Sequence, residues 1–149
     1  MILVICAVLF LASFLAMEVV AWFTHKYIMH GFLWSWHASH HKAHKYFFEK
    51  NDRFFMVFAG PSMVCFWGAY QGWSQYLLSI GAGILGYGLF YLLFHDILVH
   101  RRLPIKWKPK KGYLARMMRA HYAHHKKHTK TGCESFGFLI ATKKYTKKS

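Results

Sequence analysis

Two long apolar stretches, separated by polar and basic segments, dominate the pattern of this chain. Residues 1–24 contain no Lys or Arg and a single acid, Glu18, and residues 54–94 contain no charged residue. About 20 apolar residues cross a bilayer core as a helix, so the first stretch predicts one membrane span. The second stretch is too long for one span and is interrupted by polar residues, so it predicts a helical hairpin. The predicted spans are 1–24, 54–70 and 76–94, with the hairpin turn at 71–75.

Charge predicts how these spans are oriented. All 20 Lys and Arg residues fall within 26–53 or 101–148. Basic loops stay on the cytoplasmic side, so 26–53 and 101–149 are predicted to be cytoplasmic and the hairpin turn external. Residues 1–24 lack the basic start of a signal peptide and exceed its usual apolar length, so we expect a retained helix. Apolar residues 136–141 leave open a fourth, shallow or re-entrant element.

Composition agrees with one membrane domain over residues 1–149, and the predicted fold class is all-α, an integral membrane helical bundle. The chain is 55% hydrophobic and carries a formal net charge of +15, which is compatible only with segregation of the two along the sequence. Nucleic-acid binding is not expected, because the charge is juxtamembrane and no groove-reading motif is present. Cys6, Cys65 and Cys133 have no spacing typical of a disulfide or a zinc ribbon, which favours unpaired thiols.

The histidines form one pattern that occurs twice. Each copy is HxxxxH followed by HxxHHxxH, and the two copies contain all 12 histidines. Imidazole is the commonest metal-binding side chain, so two matching sets suggest one site that holds two metal ions. On the predicted topology both sets lie on one face of the membrane, in a cytoplasmic helical cap. The first copy is His25, His30, His37, His40, His41 and His44, and the second is His95, His100, His121, His124, His125 and His128.

Helical spacing predicts how the rings are presented. The HxxHHxxH positions follow i, i+3, i+4, i+7, so each set is expected on one helix face, the second within a helix over 113–128. Positions i and i+5 of HxxxxH diverge by roughly 140° on an α-helix. Both rings can therefore meet one site only if the helix ends, unwinds or bulges there. Gly31 and Pro104 are suited to ending these helices.

The scarcity of acids restricts the type of metal site. A carboxylate-rich di-iron bundle needs a Glu from each of two helices plus two Glu-x-x-His motifs, which the five acids of this chain cannot supply. A structural zinc site needs only four ligands. Iron, copper, zinc and nickel remain open, iron for activating dioxygen and zinc for activating water. Glu18, seven residues before His25, is a candidate functional acid. Asp52, Asp96 and Glu134 are candidates for orienting ligating rings, although solvent pairing of Glu49 and Asp52 with Lys50 and Arg53 fits equally well.

The histidine framework resembles the membrane-bound di-iron hydroxylases of the fatty acid hydroxylase/sterol desaturase superfamily. Three flanking strings, at residues 25–37 (HKYIMHGFLWSWH), 48–52 (FEKND) and 132–139 (GCESFGFL), resemble the bacterial beta-carotene 3-hydroxylases. The resemblance covers residues 18–141. It implies an O₂-dependent di-iron monooxygenase of the bacterial inner membrane that hydroxylates C3 of β-ionone rings, and converts beta-carotene through cryptoxanthin to zeaxanthin.

The resemblance also implies a ligand set and an electron donor. Two iron ions would be held by ten histidines, while His44 and His128 would be additional ligands or partners of ligands. Reducing equivalents would come from ferredoxin or a similar carrier, and the carotenoid would enter from the bilayer lipid. The ten implied ligands are His25, His30, His37, His40, His41, His95, His100, His121, His124 and His125.

Several alternatives stay open at the level of sequence. The enzyme could act on a fatty acyl chain or a sterol, or the chain could be a non-catalytic metal-binding membrane protein. The glycine-rich run 81–88 favours close helix packing, with a groove for the substrate as the alternative. The basic stretch 101–111 could dock an acidic electron carrier, or could only reflect topology and anionic headgroups.

Overall fold

The fold is helical throughout the part of the chain described by a computed structural model, residues 1–42 and 47–146. Those residues form helices, turns and irregular segments and contain no β-strand, in agreement with the predicted all-α class. π-helical turns at Thr24–Phe32 and Leu92–Val99 continue α1 and α4, and short 3₁₀ segments lie at Lys50–Phe55 and Lys143–Tyr145. The α-helices are α1 (Ile2–Phe23), α2 (Trp34–His37), α3 (Met56–Tyr70), α4 (Tyr76–Tyr91) and α5 (Gly112–His125).

Two of the helices have the length and apolar character of membrane spans. They are Ile2–Phe32, with 31 residues, and Tyr76–Val99, with 24 residues. Only 11% and 22% of the most apolar stretch of each helix is buried inside the molecule, whereas the core helix of a soluble protein is mostly buried. We therefore treat the chain as a membrane protein. Helix α3 occupies the second of the three predicted spans, 54–70, but its 15 residues are fewer than the roughly 20 of a full crossing, so that span stays a prediction.

Helix α4 packs against both α1 and α3, and its glycines allow the close approach. A Cβ added at Gly83 would overlap Ser13 Oγ and the Phe10 carbonyl oxygen of α1. On the other side, a Cβ at Gly88 would lie 2.9 Å from Phe58 Cβ of α3. Small residues at such contacts let membrane helices approach closely. The glycine-rich run therefore serves helix packing at these positions, and Leu85 and Gly88 of the same run also line an apolar cavity.

Two small apolar clusters hold the bundle together. Met17, Ala21, Ile84 and Tyr87 join α1 to α4 within the spans. The second cluster joins the end of α4 to α5 and includes Phe138. Residues 136–141 form no helix and instead run as an irregular segment whose Phe138 is buried. The Phe138 ring contacts the rings of His25, His95 and His121, and a fourth membrane element at this segment stays a prediction.

Candidate metal centre

The two HxxxxH pairs lie on π-helical turns, and this solves the geometric problem posed by their spacing. In a π-helix the hydrogen bonds run from i to i+5, which brings residues five apart onto one face. The ring centroids are 5.3 Å apart for His25 and His30, and 4.5 Å apart for His95 and His100. The first turn is interrupted at Gly31, whose backbone is non-helical. The expected bulge and the expected helix ends are both present.

The HxxHH segments differ from each other, and this corrects one prediction. Helix α5 carries His121, His124 and His125 as expected but ends at His125, so exposed His128 lies beyond it. In the first copy only His37 belongs to a helix, and His40 lies in the following turn. The single helix face expected over His37–His44 is therefore wrong within the described residues, and His44 lies outside them. Turn geometry replaces helical spacing because α2 has only four residues.

All ten histidines of the implied ligand set come together in two groups of five. Within each group the potential ligand atoms all lie within 4.8 Å of one another. Several facing Nε2 atoms are only 2.9–3.1 Å apart. The first group is His25, His30, His37, His41 and His124, and the second group is His40, His95, His100, His121 and His125.

Each group contains four histidines from one sequence repeat and one histidine from the other repeat. His124 belongs to the second repeat but joins the first group, and its counterpart His40 does the reverse. These two residues occupy the same position of HxxHH in their respective copies. The exchange interlocks the two halves of the chain, so neither repeat forms a group alone.

Hydrogen bonds from Nδ1 set the tautomer of seven of these rings. In the first group, the Nδ1–H groups of His25, His30, His41 and His124 donate to backbone carbonyls, and that of His37 donates to Asn51 Oδ1. In the second group, His40 and His95 donate to carboxylates. An imidazole that donates through Nδ1 keeps its lone pair on Nε2. The inward Nε2 atoms are therefore arranged as ligands.

The charge state of the rings also fits a cation. Burial lowers the pKa of His37 to about 2 and that of His124 to about 3, with neighbouring histidines adding to the effect. Burial likewise lowers the pKa of His41 to about 4. Metals bind neutral imidazole. Facing Nε2 atoms lie about 3 Å apart in both groups, and their lone pairs repel one another unless a positive ion lies between them. The donor set therefore fits one metal ion in each group.

One irregular segment supplies four of the five partners of the first group. The carbonyls of Lys127, Lys130, Glu134 and Phe136 accept from His41, His30, His124 and His25 at 2.7–2.9 Å. This segment, residues 127–136, follows α5 and covers the first group. Sequence patterns do not predict the arrangement, because any residue type can supply a backbone carbonyl.

Glu18 holds the continuation of this segment rather than facing the histidines. Its side chain is buried and accepts hydrogen bonds from the Tyr87 hydroxyl at 2.5 Å and from the Phe138 N–H at 2.8 Å. It also accepts from the Ile140 N–H at 3.2 Å. Glu18 was expected to be a functional acid near the metal site. It lies outside both groups and supports the backbone at Phe138 and Ile140 instead.

The second group is surrounded by charged side chains. His40 Nδ1 lies 2.7 Å from Glu49 Oε1, and His95 Nδ1 lies 2.6 Å from Asp96 Oδ1. Arg102 donates to Glu49 at 3.0 Å and also to Asp52. Burial lowers the pKa of the Arg102 guanidinium, but its hydrogen bond to Asp52 and the nearby carboxylates raise it more, so the group stays cationic.

These contacts show which of the acids proposed from sequence touch a histidine ring. Asp96 touches a ring of the groups, as expected, whereas Asp52 binds Arg102 and the Glu49 backbone N–H. The side chain of Glu134 pairs with Lys144 and Tyr145 in solvent, so only its carbonyl meets a histidine. Solvent pairing of Glu49 with Lys50 or Arg53 is wrong, because its buried carboxylate contacts His40.

Glu49, Asn51 and Arg102 were missed as partners of the site. Glu49 and Asn51 lie in the string at residues 48–52, which carried part of the family resemblance. That resemblance was the sequence signal that could have identified them as partners of the site. Arg102 lies in the basic stretch 101–111, where it was counted only as surface charge. The remaining basic residues of that stretch are exposed.

An apolar cavity of about 810 Å³ opens beside the first group. Residues of α1, α3 and α4 form its walls, including Phe58 and Leu89. His25 lines the cavity together with Asn51 and Asp96, so its polar end is at the histidine groups. Pockets for small molecules are typically about 300–1,000 Å³ and mainly apolar, with a few convergent polar groups.

Comparisons with known proteins agree with this arrangement. The fatty acid hydroxylase family matches residues 10–143. A beta-carotene hydroxylase of Pantoea ananas is 47% identical over 91% of this chain and 77% of its own length. One of Pseudescherichia vulneris is 49% identical over 88% of this chain and 74% of its own length. A third, from a Paracoccus strain, is 44% identical, covering 87% and 80%. No solved structure matches the chain.

Proposed function

The chain belongs to the fatty acid hydroxylase family, among its beta-carotene hydroxylases, and from this premise we propose that it hydroxylates C3 of β-ionone rings. One such step converts beta-carotene to cryptoxanthin, and a second step at the other ring gives zeaxanthin. The observation that carries the proposal is the apolar cavity bordered by His25 of the first group. A hydrocarbon ring offers no polar handle, so an apolar cavity must position it beside the oxidising centre.

The proposed cofactor is a pair of iron ions with O₂ as co-substrate. The first group would hold one ion and the second group the other. When bound, the irons would supply the activation of dioxygen. The protein contributes ten ring nitrogens in a largely buried site, and Nδ1 partners fix the direction of seven of these rings. Fixed ligands of this kind lower the cost of reorganisation during the reaction.

The reaction requires an external reductant. One oxygen atom of O₂ enters a C–H bond and the other leaves as water, so each hydroxylation consumes two electrons and two protons. We propose ferredoxin or a similar acidic carrier as the donor. Lys106, Lys108, Lys110 and Lys111 are exposed and belong to the basic stretch that follows His100, which is suited to an acidic partner. Anionic lipid headgroups compete for the same surface.

We also propose that the protein resides in a bacterial inner membrane with its metal centre on the cytoplasmic side. The support is the restriction of Lys and Arg to 26–53 and 101–148, which follows the positive-inside rule. The histidine-bearing ends of α1 and α4 lie at one end of the bundle, since His40 contacts His95 and His37 contacts His25.

Expression in cells that accumulate beta-carotene tests the substrate assignment. Chromatography of the extracted pigments should show cryptoxanthin and zeaxanthin. His128→Ala is the matched control for His124→Ala: the first lies outside both groups and should keep activity, while the second should abolish it. Unchanged beta-carotene in the wild-type strain, beside an active control enzyme, would contradict the assignment.

Two alternatives predict different results. An enzyme for fatty acyl chains or sterols would leave carotene untouched but change the lipid profile of the host. A non-catalytic metal-binding protein would change neither. The similarity to beta-carotene hydroxylases, at 44–49% identity over most of the chain, favours the carotenoid substrate over both.

A further inference from the structure

The two histidine groups differ in the charge that surrounds them. Every Nδ1 acceptor in the first group is neutral: four backbone carbonyls and the Asn51 side-chain oxygen. In the second group, His40 and His95 instead donate to the carboxylates of Glu49 and Asp96. The two sequence repeats have the same histidine spacing, yet the two groups differ in the charge of the side chains that accept from their Nδ1–H groups.

The carboxylates of the second group form one network. Arg102 Nη2 lies 3.0 Å from Glu49 Oε1, and Arg102 Nε lies 3.9 Å from Asp96 Oδ1. Asp52 pairs with the same guanidinium and also accepts from the Glu49 backbone N–H. Arg102 therefore positions both carboxylates that meet the histidines, and its side chain is only 12% exposed.

Arg102 is shared by the three carboxylates of Glu49, Asp52 and Asp96, and two of these carboxylates contact rings of the second group. Burial weakens solvent screening, so a carboxylate beside a buried ring acts on a nearby cation more strongly than a surface charge would. A carboxylate that accepts from Nδ1–H also makes the opposite nitrogen of the ring a stronger ligand.

From this asymmetry we infer that the second group is the tighter of the two metal sites, and that Glu49, Asp96 and Arg102 are the positioning residues that make it so. The inference rests on metal binding as set out in the proposed function. It concerns which site fills first, a property that does not follow from the histidine motifs because both groups have five histidines.

Titration of the metal-free protein in detergent with Co²⁺ tests the inference. Visible absorption should rise in two phases, each saturating at one equivalent. His95→Ala should remove the tighter phase and His25→Ala the weaker one, which assigns the phases to the groups. This readout is independent of catalysis.

Charge-neutralising variants then test the cause. Glu49→Gln and Asp96→Asn keep an oxygen for the ring N–H but remove the charge. Each should raise the Kd of the tighter phase about 10–100-fold, as is typical for partners of metal ligands, and leave the weaker phase in place. Glu134→Gln is the matched control for the tighter phase, because it removes the same charge from an exposed side chain that contacts no histidine of the second group.

A gain of affinity separates the inference from misfolding. Asn51→Asp places a carboxylate on His37 and should tighten the weaker phase about tenfold, which a folding defect cannot do. A single-phase titration with two equivalents, or a tighter phase assigned to the first group, would overturn the asymmetry while leaving the metal centre intact. Absence of any Co²⁺ binding in folded protein would overturn the metal centre as well.

Discussion

The carboxylate of Glu18 offers a direct test of how the membrane-embedded part of the bundle supports the metal centre. It accepts from the Tyr87 hydroxyl and the Phe138 N–H in a buried environment, and from the Ile140 N–H nearer the surface. Glu18→Ala would leave the first two donors unsatisfied. At about 1–3 kcal/mol for each buried unsatisfied group, the free energy of unfolding should fall by about 2–6 kcal/mol.

The loss should extend to the first histidine group. Gly137 approaches the carboxylate so closely that an added Cβ would lie 2.5 Å from Glu18 Oε1, and the neighbouring Phe136 carbonyl accepts from His25. Releasing this segment should loosen His25 and lower metal content from two ions toward one. The assays are denaturant unfolding in detergent, followed by circular dichroism, and metal analysis of the purified protein.

Tyr87→Phe provides the companion measurement, because it removes only one donor to Glu18. In a double-mutant cycle the two substitutions should be non-additive by about 0.5–3 kcal/mol, as expected of residues in contact. Glu18→Ala protein with wild-type unfolding energy and two bound ions would refute the assigned role. Additivity of the two substitutions would refute the contact itself.

Three further predictions concern packing, ligation and pH. Gly83→Ala should destabilise the bundle by about 1–3 kcal/mol in detergent unfolding, because its Cβ overlaps α1, whereas Gly86→Ala, at 3.5 Å from its nearest neighbour, should be tolerated. His124→Ala should lower the metal content measured by elemental analysis, and His128→Ala should not; equal losses would contradict the grouping. Metal-free protein should lose stability as pH falls from about 6.5 toward about 3. Buried His37 and His124, with pKa values lowered to about 2 and about 3, stay neutral there while the unfolded chain takes up protons. Constant unfolding energy over that range would contradict their burial.

The apolar runs and the histidine repeats were readable from sequence because each is encoded locally. Spans follow from uninterrupted apolar length, and the bulge at His25–His30 follows from the mismatch between five-residue spacing and the α-helix. The observed hairpin turn between Tyr70 and Tyr76 also agrees with the polar break predicted there.

Features that depend on tertiary contacts were not readable in the same way. The exchange of His40 and His124 between the groups depends on how the two repeats pack against each other. Spacing within one repeat carries no such information. The backbone carbonyls of residues 127–136 could not be predicted as histidine partners, because every residue type has a carbonyl. Glu49 and Asp52 look alike in sequence, three positions apart, yet only Glu49 reaches a histidine.

The measurement that bears most directly on the central claim is product analysis of purified protein reconstituted with iron and supplied with beta-carotene, a reductant and isotopically labelled dioxygen. The account predicts cryptoxanthin and zeaxanthin that carry the label in their hydroxyl groups, with no product from a His95→Ala variant. Hydroxyl groups that carry oxygen from water, or no hydroxylated carotenoid from protein shown to contain iron, would contradict it.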